Sequence, residues 1–256
     1  MPTYTYDRGK GKGQERYHYT RPSGEVTYPL TWDHSGEHYY ETGVQDAILY
    51  LYDHTGTVGS ATHNYFGGVA WNGITSCTTS PEGADTNDIY ADNNKYLSMR
   101  GVESFGGSIG AYTYPDEWEE CDGSGNAGSG LTVHGQTRKV FGLAYMTKIG
   151  NDSDFADHGW KLHLIYGATA SPSSREYTTV NDSPEALEMS WDFETTPVEV
   201  GTIGGTAYGK TAYVTVNSLD ATDAGWDALM KALRGTSTVD AYLPTPAEVY
   251  TLLQTT

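Results

Sequence analysis

The sequence predicts a mainly β protein of antiparallel strands, with an α-helix near 219–234 on the outside of a sheet. Three observations carry that expectation. Leu, Ile, Val and Phe supply only 41 of the 256 residues, 16%, and the net charge is −18. Alone, that pairing of few aliphatics and high charge points to disorder. The 21 Tyr and 6 Trp oppose it, because disordered chains are poor in aromatics. With 33 Thr and the Phe, Val and Ile added, strand-favouring types make up about a third of the chain, so the core leans on Tyr and Trp. Finally, short apolar or alternating runs recur between Gly, Pro, Asn and Asp, at the lengths typical of antiparallel strands.

Taken in order, residues 1–40 form a polar, Gly- and Tyr-rich N-terminal extension with little periodicity. It holds one expected strand, VTYPLTW (26–32). Residues 41–256 show no strong composition break and are expected to form a single β domain. Its strand runs are DAILYLYD (46–53), GVAWNGITSCTT (68–79), KYLSMR (95–100), GSIGAYTY (107–114), RKVFGLAYMTKI (138–149), WKLHLIYG (160–167), EALEMSWDFET (185–195) and KTAYVTV (210–216). In the fourth run Ile109, Ala111 and Thr113 alternate with Ser108, Gly110 and Tyr112, the period of a strand with two different faces. GSGNAGSG (123–130) is expected to be a flexible loop.

Two segments have helical spacing. In SLDATDAGWDALMKALRG, Trp226, Leu229, Met230 and Leu233 make one narrow apolar stripe, so this helix should lie on the outside of a sheet. Acids toward its start, Lys231 and Arg234 near its end and a following Gly235 suit the helix dipole and a C-terminal stop. In PAEVYTLL (246–253), Thr245 and Glu248 have capping-box spacing, and Pro246 sits at the first helical position. A shorter turn is expected at Pro115 in YPDEWEEC.

Charge is uneven. Residues 1–25 hold five basic and three acidic side chains, whereas the other 231 hold 10 and 30, a net −20. A body so acidic should repel nucleic acid rather than bind it sequence-specifically. The basic start is either a solvated tail or a contact for an acidic surface, such as a neighbouring copy. No run nears the roughly 20 apolar residues of a membrane span. The N-terminus lacks an apolar signal-peptide core, so synthesis in a cytoplasm is expected. Cys77 and Cys121 make neither a disulfide framework nor a zinc site, and both are expected to be free, partly buried thiols.

Candidate chemistry is thin. His34, Glu37 and His38 lack the helical spacing of a zinc protease and suit a solvated turn. Asn151, Asp152, Asp154 and Asp157 resemble a calcium loop, but Ala156, Asp157 and His163 fall where an EF-hand needs an oxygen ligand, a glycine and a glutamate. A polar hairpin tip is expected there. Asp116, Glu117, Glu119, Glu120 and Asp122 crowd one turn, whereas glycoside hydrolysis needs carboxylates at fixed separation across a cleft. That cluster is expected to be an exposed acidic face. His163 lies in a strand and is expected to be packed rather than catalytic. The prediction is therefore no enzyme, no catalytic residues, no metal site and no cofactor.

Several blocks in order resemble one family, the major tail (tail tube) proteins of long-tailed, non-contractile bacteriophages. They are ETGV (41–44), VAWNGITSCTTSPEGADTNDIYADNNKYLSM (69–99), AYTYPDEWEECDGS (111–124), RKVFGLAYMTKIGND (138–152), 159–198 from GWKLHLIYG to ETTPV, and the helix near 219–234. The resemblance spans roughly 41–253 and leaves the extension largely outside. It implies two packed antiparallel sheets (a tail-tube-type β-sandwich or barrel) with the helix near 219–234 flanking them, and six copies per ring, with rings stacked into a tube. Sheets of neighbouring subunits would join into an inner barrel, and loops and an arm, for which residues 1–40 are a candidate, would tie ring to ring. It also implies a virion location, a tape-measure protein enclosed by the tube, tail terminator and tip proteins as further partners, and genomic DNA passing through without specific binding. The competing readings are a non-enzymatic binding or decoration module, using exposed aromatics on carbohydrate or a virion surface, and a glycosidase built on Glu119 and Glu120.

Overall fold

The computed structural model describes residues 3–7, 16–20, 35–53, 57–58, 61–84, 86–100, 103–171, 175, 177, 179 and 186–255. In chain order its first strands are β1 (Thr3–Asp7), β2 (Arg16–Thr20), β3 (Tyr40–Tyr52), β4 (Thr57–Val58), β5 (Ala61–Thr62), β6 (Tyr65–Trp71), β7 (Ile74–Glu82), β8 (Thr86–Ala91), β9 (Asn94–Arg100) and β10 (Ser104–Ala111). Helix α1 (Trp118–Asp122) follows. Then come β11 (Ser124–Asn126), β12 (Thr132–His134), β13 (Phe141–Asn151), β14 (Phe155–Ala170), β15 (Met189–Thr195), β16 (Gly201–Ile203), β17 (Thr206–Tyr208), β18 (Tyr213–Asn217), α2 (Asp223–Arg234) and α3 (Pro246–Leu253).

The protein is mainly β, with antiparallel pairing throughout. One eight-stranded sheet runs β6-β3-β13-β14-β15-β10-β7, and β18 also pairs with β14. The sheet does not close into a barrel. It divides along β14: Lys161–Ile165 pair with β18, whereas Ala168–Ala170 pair with β15. Between these stretches Gly167 takes φ +62°. The chain thus makes two packed layers from one continuous sheet, a corner device known in β-sandwiches.

Each layer is explained by its side-chain alternation. On β3, β13 and β14, Leu49, Leu143, Tyr145 and Ile165 point into the space between the layers, where Ile109, Trp191 and Phe193 meet them. Their neighbours Tyr50, Ala144, Met146, Leu162, Leu164 and Tyr166 point the other way, under Leu229 and Leu233 of α2 and Val249 of α3. These central strands are therefore buried on both faces and carry near-continuous apolar sequence. The narrow stripe of α2 is seated as its spacing predicts, with Leu229 and Leu233 fully buried. Thr222 caps α2, and Thr245 with Glu248 completes the capping box of α3.

Tyrosine supplies what aliphatics do not. The Tyr50 hydroxyl donates to the Leu233 carbonyl at 2.6 Å, and that of Tyr166 to the Pro244 carbonyl at 2.9 Å. Each ring fills core volume while its hydroxyl ties the helical layer to the sheet. At one end Trp71, Trp118, Trp191 and Phe141 pack in tilted and edge-to-face pairs, with centroid spacings of 4.6–5.9 Å.

Several sequence expectations need correction. The 68–79 run is two strands, β6 and β7, which turn at Asn72-Gly73 and lie at opposite ends of the sheet order. The segment 123–130 is not simply a loop, because β11 pairs with β12 around it. The extension also holds two strands beyond the expected one, since β1 pairs with β2. The strand expected at 26–32 lies outside the described residues. The 95–100 run is one half of a hairpin, β8–β9, whose first strand lies in the polar segment 86–91.

Candidate functional site: an acidic, cation-free sheet face

The outer face of the β7–β10–β15 layer follows from register. Pairing sets Glu82 opposite Ser104, Ser80 opposite Gly106 opposite Glu194, and Thr78 opposite Ser108 opposite Asp192. Ser76, Gly110 and Ser190 form the next row. A bulge between Gly110 and Ala111 adds Thr75 to this face, where its hydroxyl bonds Glu188. The intervening residues Cys77, Phe105, Ile109, Trp191 and Phe193 face the core. So one face is apolar and the other holds only Ser, Thr, Gly and the carboxylates Glu82, Glu188, Asp192 and Glu194. Among the described residues, no cation or apolar side chain interrupts those rows. The glycines keep the surface low: a Cβ at Gly110 would lie 2.5 Å from Ser76 Oγ. Such a face repels polyanions and offers phosphate no partner stronger than a hydroxyl.

Two further features border this layer. The opposite end of the sheet, β6, is covered by the 241–243 segment through the Gly68 N–H to Ala241 carbonyl bond and the Phe66–Tyr242 bridge. Strand β7 has one strand partner, β10, among the described residues. Its other edge therefore presents backbone donors and acceptors for pairing. Beyond β7 the β8–β9 hairpin is exposed along nearly its whole length. Ile89 stands opposite Leu97, and Asn87 opposite Met99, on one face. Asp88 takes Lys95 at 2.8 Å and Ser98 at 2.6 Å and stiffens the ribbon. Tyr90 and Tyr96 are its most exposed aromatics, at 68% and 76%. A two-stranded ribbon with uncovered apolar groups is suited to docking.

The residues singled out in sequence are dispersed. Glu37 and His38 lie in the segment leading to β3, while His34 is outside the described residues. His38 is not merely solvated: Asp152 accepts the Gly36 N–H at 2.9 Å and the His38 N–H at 3.4 Å, and lies 3.4 Å from His38 Nδ1. Those backbone donors hold the Asp152 carboxyl below its usual range. The 151–157 segment is the tip of the β13–β14 hairpin, where Asn151 Oδ1 accepts the Ser153 and Asp154 N–H groups. His158 Nδ1 pairs with Asp154 at 2.8 Å.

The acidic run is exposed at Asp116, Glu117 and Glu120 and half-buried at Glu119 and Asp122, with two inward-facing residues between them. Trp118 and Cys121 are buried and plug the core. Asp122 pairs with Arg175 at 3.0 Å, and Glu120 with Lys139 at 2.5 Å. Arg175 also lies over the Tyr114 and Trp191 rings, at 5.6 and 6.0 Å. Both cysteines are free. Burial pushes the Cys77 thiol up to about 11 and that of Cys121 up to about 12.

His163 is packed, at 5% exposure, with Nδ1 on the Tyr213 hydroxyl, Nε2 on Thr147 at 2.9 Å and its ring stacked on Tyr145. Burial lowers its pKa from 6.5 to about 4, while the nearby Glu41 and Lys161 charges pull in opposite directions. Between those values the unfolded chain binds a proton that the native chain does not. His163 thus contributes stability above pH 6.5, and that contribution is lost as pH falls toward 4. Urea midpoints measured across this window should drop for the parent and drop less for His163→Gln. Equal slopes would contradict the assignment.

No family model matches the chain, and no curated protein matches it. Among solved structures, a chain of the PVC sheath–tube complex of an extracellular contractile injection system, determined by cryo-electron microscopy in the extended state, is similar over 67% of this chain and 88% of that one. The identity is 9% and the TM-score 0.30. Among the described residues no helix is long and apolar enough to cross a membrane.

Proposed function

We propose that this chain is the tube subunit of a non-contractile phage tail, stacked as hexameric rings around a tape-measure protein and passing DNA during ejection. The ordered sequence blocks quoted above support that family. The observation that carries the reading is the β7–β10–β15 face, on which Glu82, Glu188, Asp192 and Glu194 stand among Ser, Thr and Gly with no cation. That face lines the bore, where it keeps the DNA backbone off the wall. The β7 edge continues into a neighbour's sheet, and the β8–β9 ribbon docks on another copy. The protein acts by shape and charge, without catalysis, and its location is the virion tail.

The test uses assembly and access together. Concentrated pure protein should form hollow tubes in negative-stain micrographs. An Asp192→Cys variant should react readily with a bulky maleimide as a monomer, and an order of magnitude more slowly in tubes. The native thiols are protonated at neutral pH and therefore slow to react. Equal rates in both states would move the bore to another face. A chain that stays monomeric at every concentration would overturn the tube reading itself.

A further inference from the structure

We propose that the cavity at the ends of α1 and β12 binds the oxyanion group, a carboxylate or a phosphate, of a small molecule, with Arg138 as its main ligand. The cavity has a volume of about 510 Å³. Small-molecule sites fall in the range of roughly 300–1,000 Å³. Asp122, His134, Arg138 and Arg175 line it. Two guanidiniums and an imidazole therefore converge in a body whose net charge beyond residue 25 is −20. Among the described residues Asp122 is the one carboxylate in that lining. The cavity is thus opposite in character to the acidic β7–β10–β15 face.

Backbone bonds bring these groups together. The Gln136 N–H donates to the Gly123 carbonyl at 2.8 Å and the Lys139 N–H to the Glu120 carbonyl at 2.9 Å, so the chain leaving β12 runs back along α1. Arg138 then lies close against Gly123, where a Cβ would meet its Cγ at 3.2 Å and its Cζ at 3.3 Å. The cationic groups differ in what they have left to offer. Arg175 is a fixed charge, held by Asp122 at 3.0 Å and by the Tyr114 and Trp191 rings. His134 is oriented by Ser124, whose Oγ meets its Nδ1 at 2.8 Å, which leaves Nε2 for a ligand. Lys139 is taken by Glu120. Arg138 is the unmatched group. It is half-buried, its Nε is buried without a partner, and among the described residues no hydrogen bond or ion pair engages its guanidinium. Buried N–H donors are nearly always paired, and a charge drawn out of water without a counter-charge is costly. Asp122 neutralises one of the two guanidiniums, so one positive charge is left over. An oxyanion supplies the missing charge, and the planar fork of an arginine matches two of its oxygens at once.

The test is isothermal titration of the full chain with inorganic phosphate and, separately, with succinate, at one ionic strength set with sodium chloride. At least one probe should bind saturably. Phosphate alone assigns the cavity to phosphoryl compounds, and succinate alone to carboxylates. Arg138→Gln should raise the Kd about tenfold or more, the loss expected for a hydrogen bond to a charged group. Lys210→Gln removes an equal charge from the exposed pair with Glu199, outside the cavity, and should leave the Kd unchanged. Thermal midpoints separate a ligand-binding arginine from a structural one. In chloride buffer without the probe, Arg138→Gln should melt no lower than the parent, because no partner is lost. Adding the binding probe should raise the midpoint of the parent but not that of the variant. Binding of neither probe, equal weakening by the two substitutions, or a lower probe-free midpoint for Arg138→Gln would overturn the assignment. None of these readouts depends on tube formation, so failure here leaves the tube reading standing.

Discussion

Gly167→Ala is expected to cost more than about 4 kcal/mol, a loss in the exceptional range for a point change and a large part of a typical domain's stability. Two causes add. At φ +62° an alanine pays the left-handed penalty of about 1–2 kcal/mol. Its Cβ would also lie 2.1 Å from the Thr196 carbonyl oxygen, a backbone atom that cannot rotate away. That oxygen belongs to the segment tied back by the Thr196 N–H to Gly167 carbonyl bond at 2.9 Å, while the Gly167 N–H donates to Tyr65 at 2.8 Å. To relieve the clash the chain must separate β14 from the end of β15, where the two layers join. Gly201→Ala is the control. Its φ is +79°, but its added Cβ meets nothing within 4 Å, so it should cost only the conformational penalty, about 1–2 kcal/mol. Urea unfolding of both variants checks this, and equal losses would mean that the clash is absorbed.

Trp191→Ala should cost about 3–5 kcal/mol, the usual range for emptying a buried aromatic site. Trp191 is fully buried, with Trp118, Tyr114 and Trp71 at centroid distances of 5.4, 5.7 and 5.9 Å. The surrounding rings come from both layers and α1, so the site cannot collapse from one side. Trp191→Phe should recover much of the loss, because the Trp191 indole N–H has no acceptor among the described residues and its removal breaks no hydrogen bond there. Trp71→Phe should be the worse of the two Phe variants. It deprives the Thr113 carbonyl of an indole donor at 2.8 Å. The order of the two thermal midpoints is the measurement, and a reversed order would refute this account of the indole groups.

Local chemistry made part of the fold legible. The capping box at Thr245–Glu248 and the stripe through Trp226, Leu229, Met230 and Leu233 depend on spacing within one helix, and the structure has both. Helix α2 begins at Asp223 rather than nearer 219, because Thr222 is the residue whose side chain caps Gly225. The alternation of Ile109 and Ala111 with Ser108 and Gly110 gave the two-faced strand β10, which ends at Ala111. Single strands were less legible where turns carried the information. Asn72-Gly73 marks a break between β6 and β7, and Asp92-Asn93, both at positive φ, turns β8 into β9. Asn72-Gly73 sits inside the otherwise continuous 68–79 run, and Asp92-Asn93 lies just before the 95–100 run.

The candidate site lay further from view. Glu82, Glu188, Asp192 and Glu194 are scattered over more than a hundred positions, and only the pairing of β7, β10 and β15 gathers them. The acidic cluster at 116–122, by contrast, is made of neighbours in sequence. In the fold Trp118 and Cys121 turn inward, and two of its carboxylates are matched by Lys139 and Arg175.

A composition poor in aliphatics, rich in aromatics and strongly acidic set a β-rich fold with a Tyr- and Trp-based core, the two cysteines set free thiols, and helical spacing set an external helix. Those properties follow from residue type and short-range period, which a single chain segment carries by itself. Which carboxylates share a face, which strand edge stays open and where the sheet divides were decided by tertiary structure alone. They depend on pairing between strands distant in sequence, and a one-residue change of register would exchange the acidic face for the core.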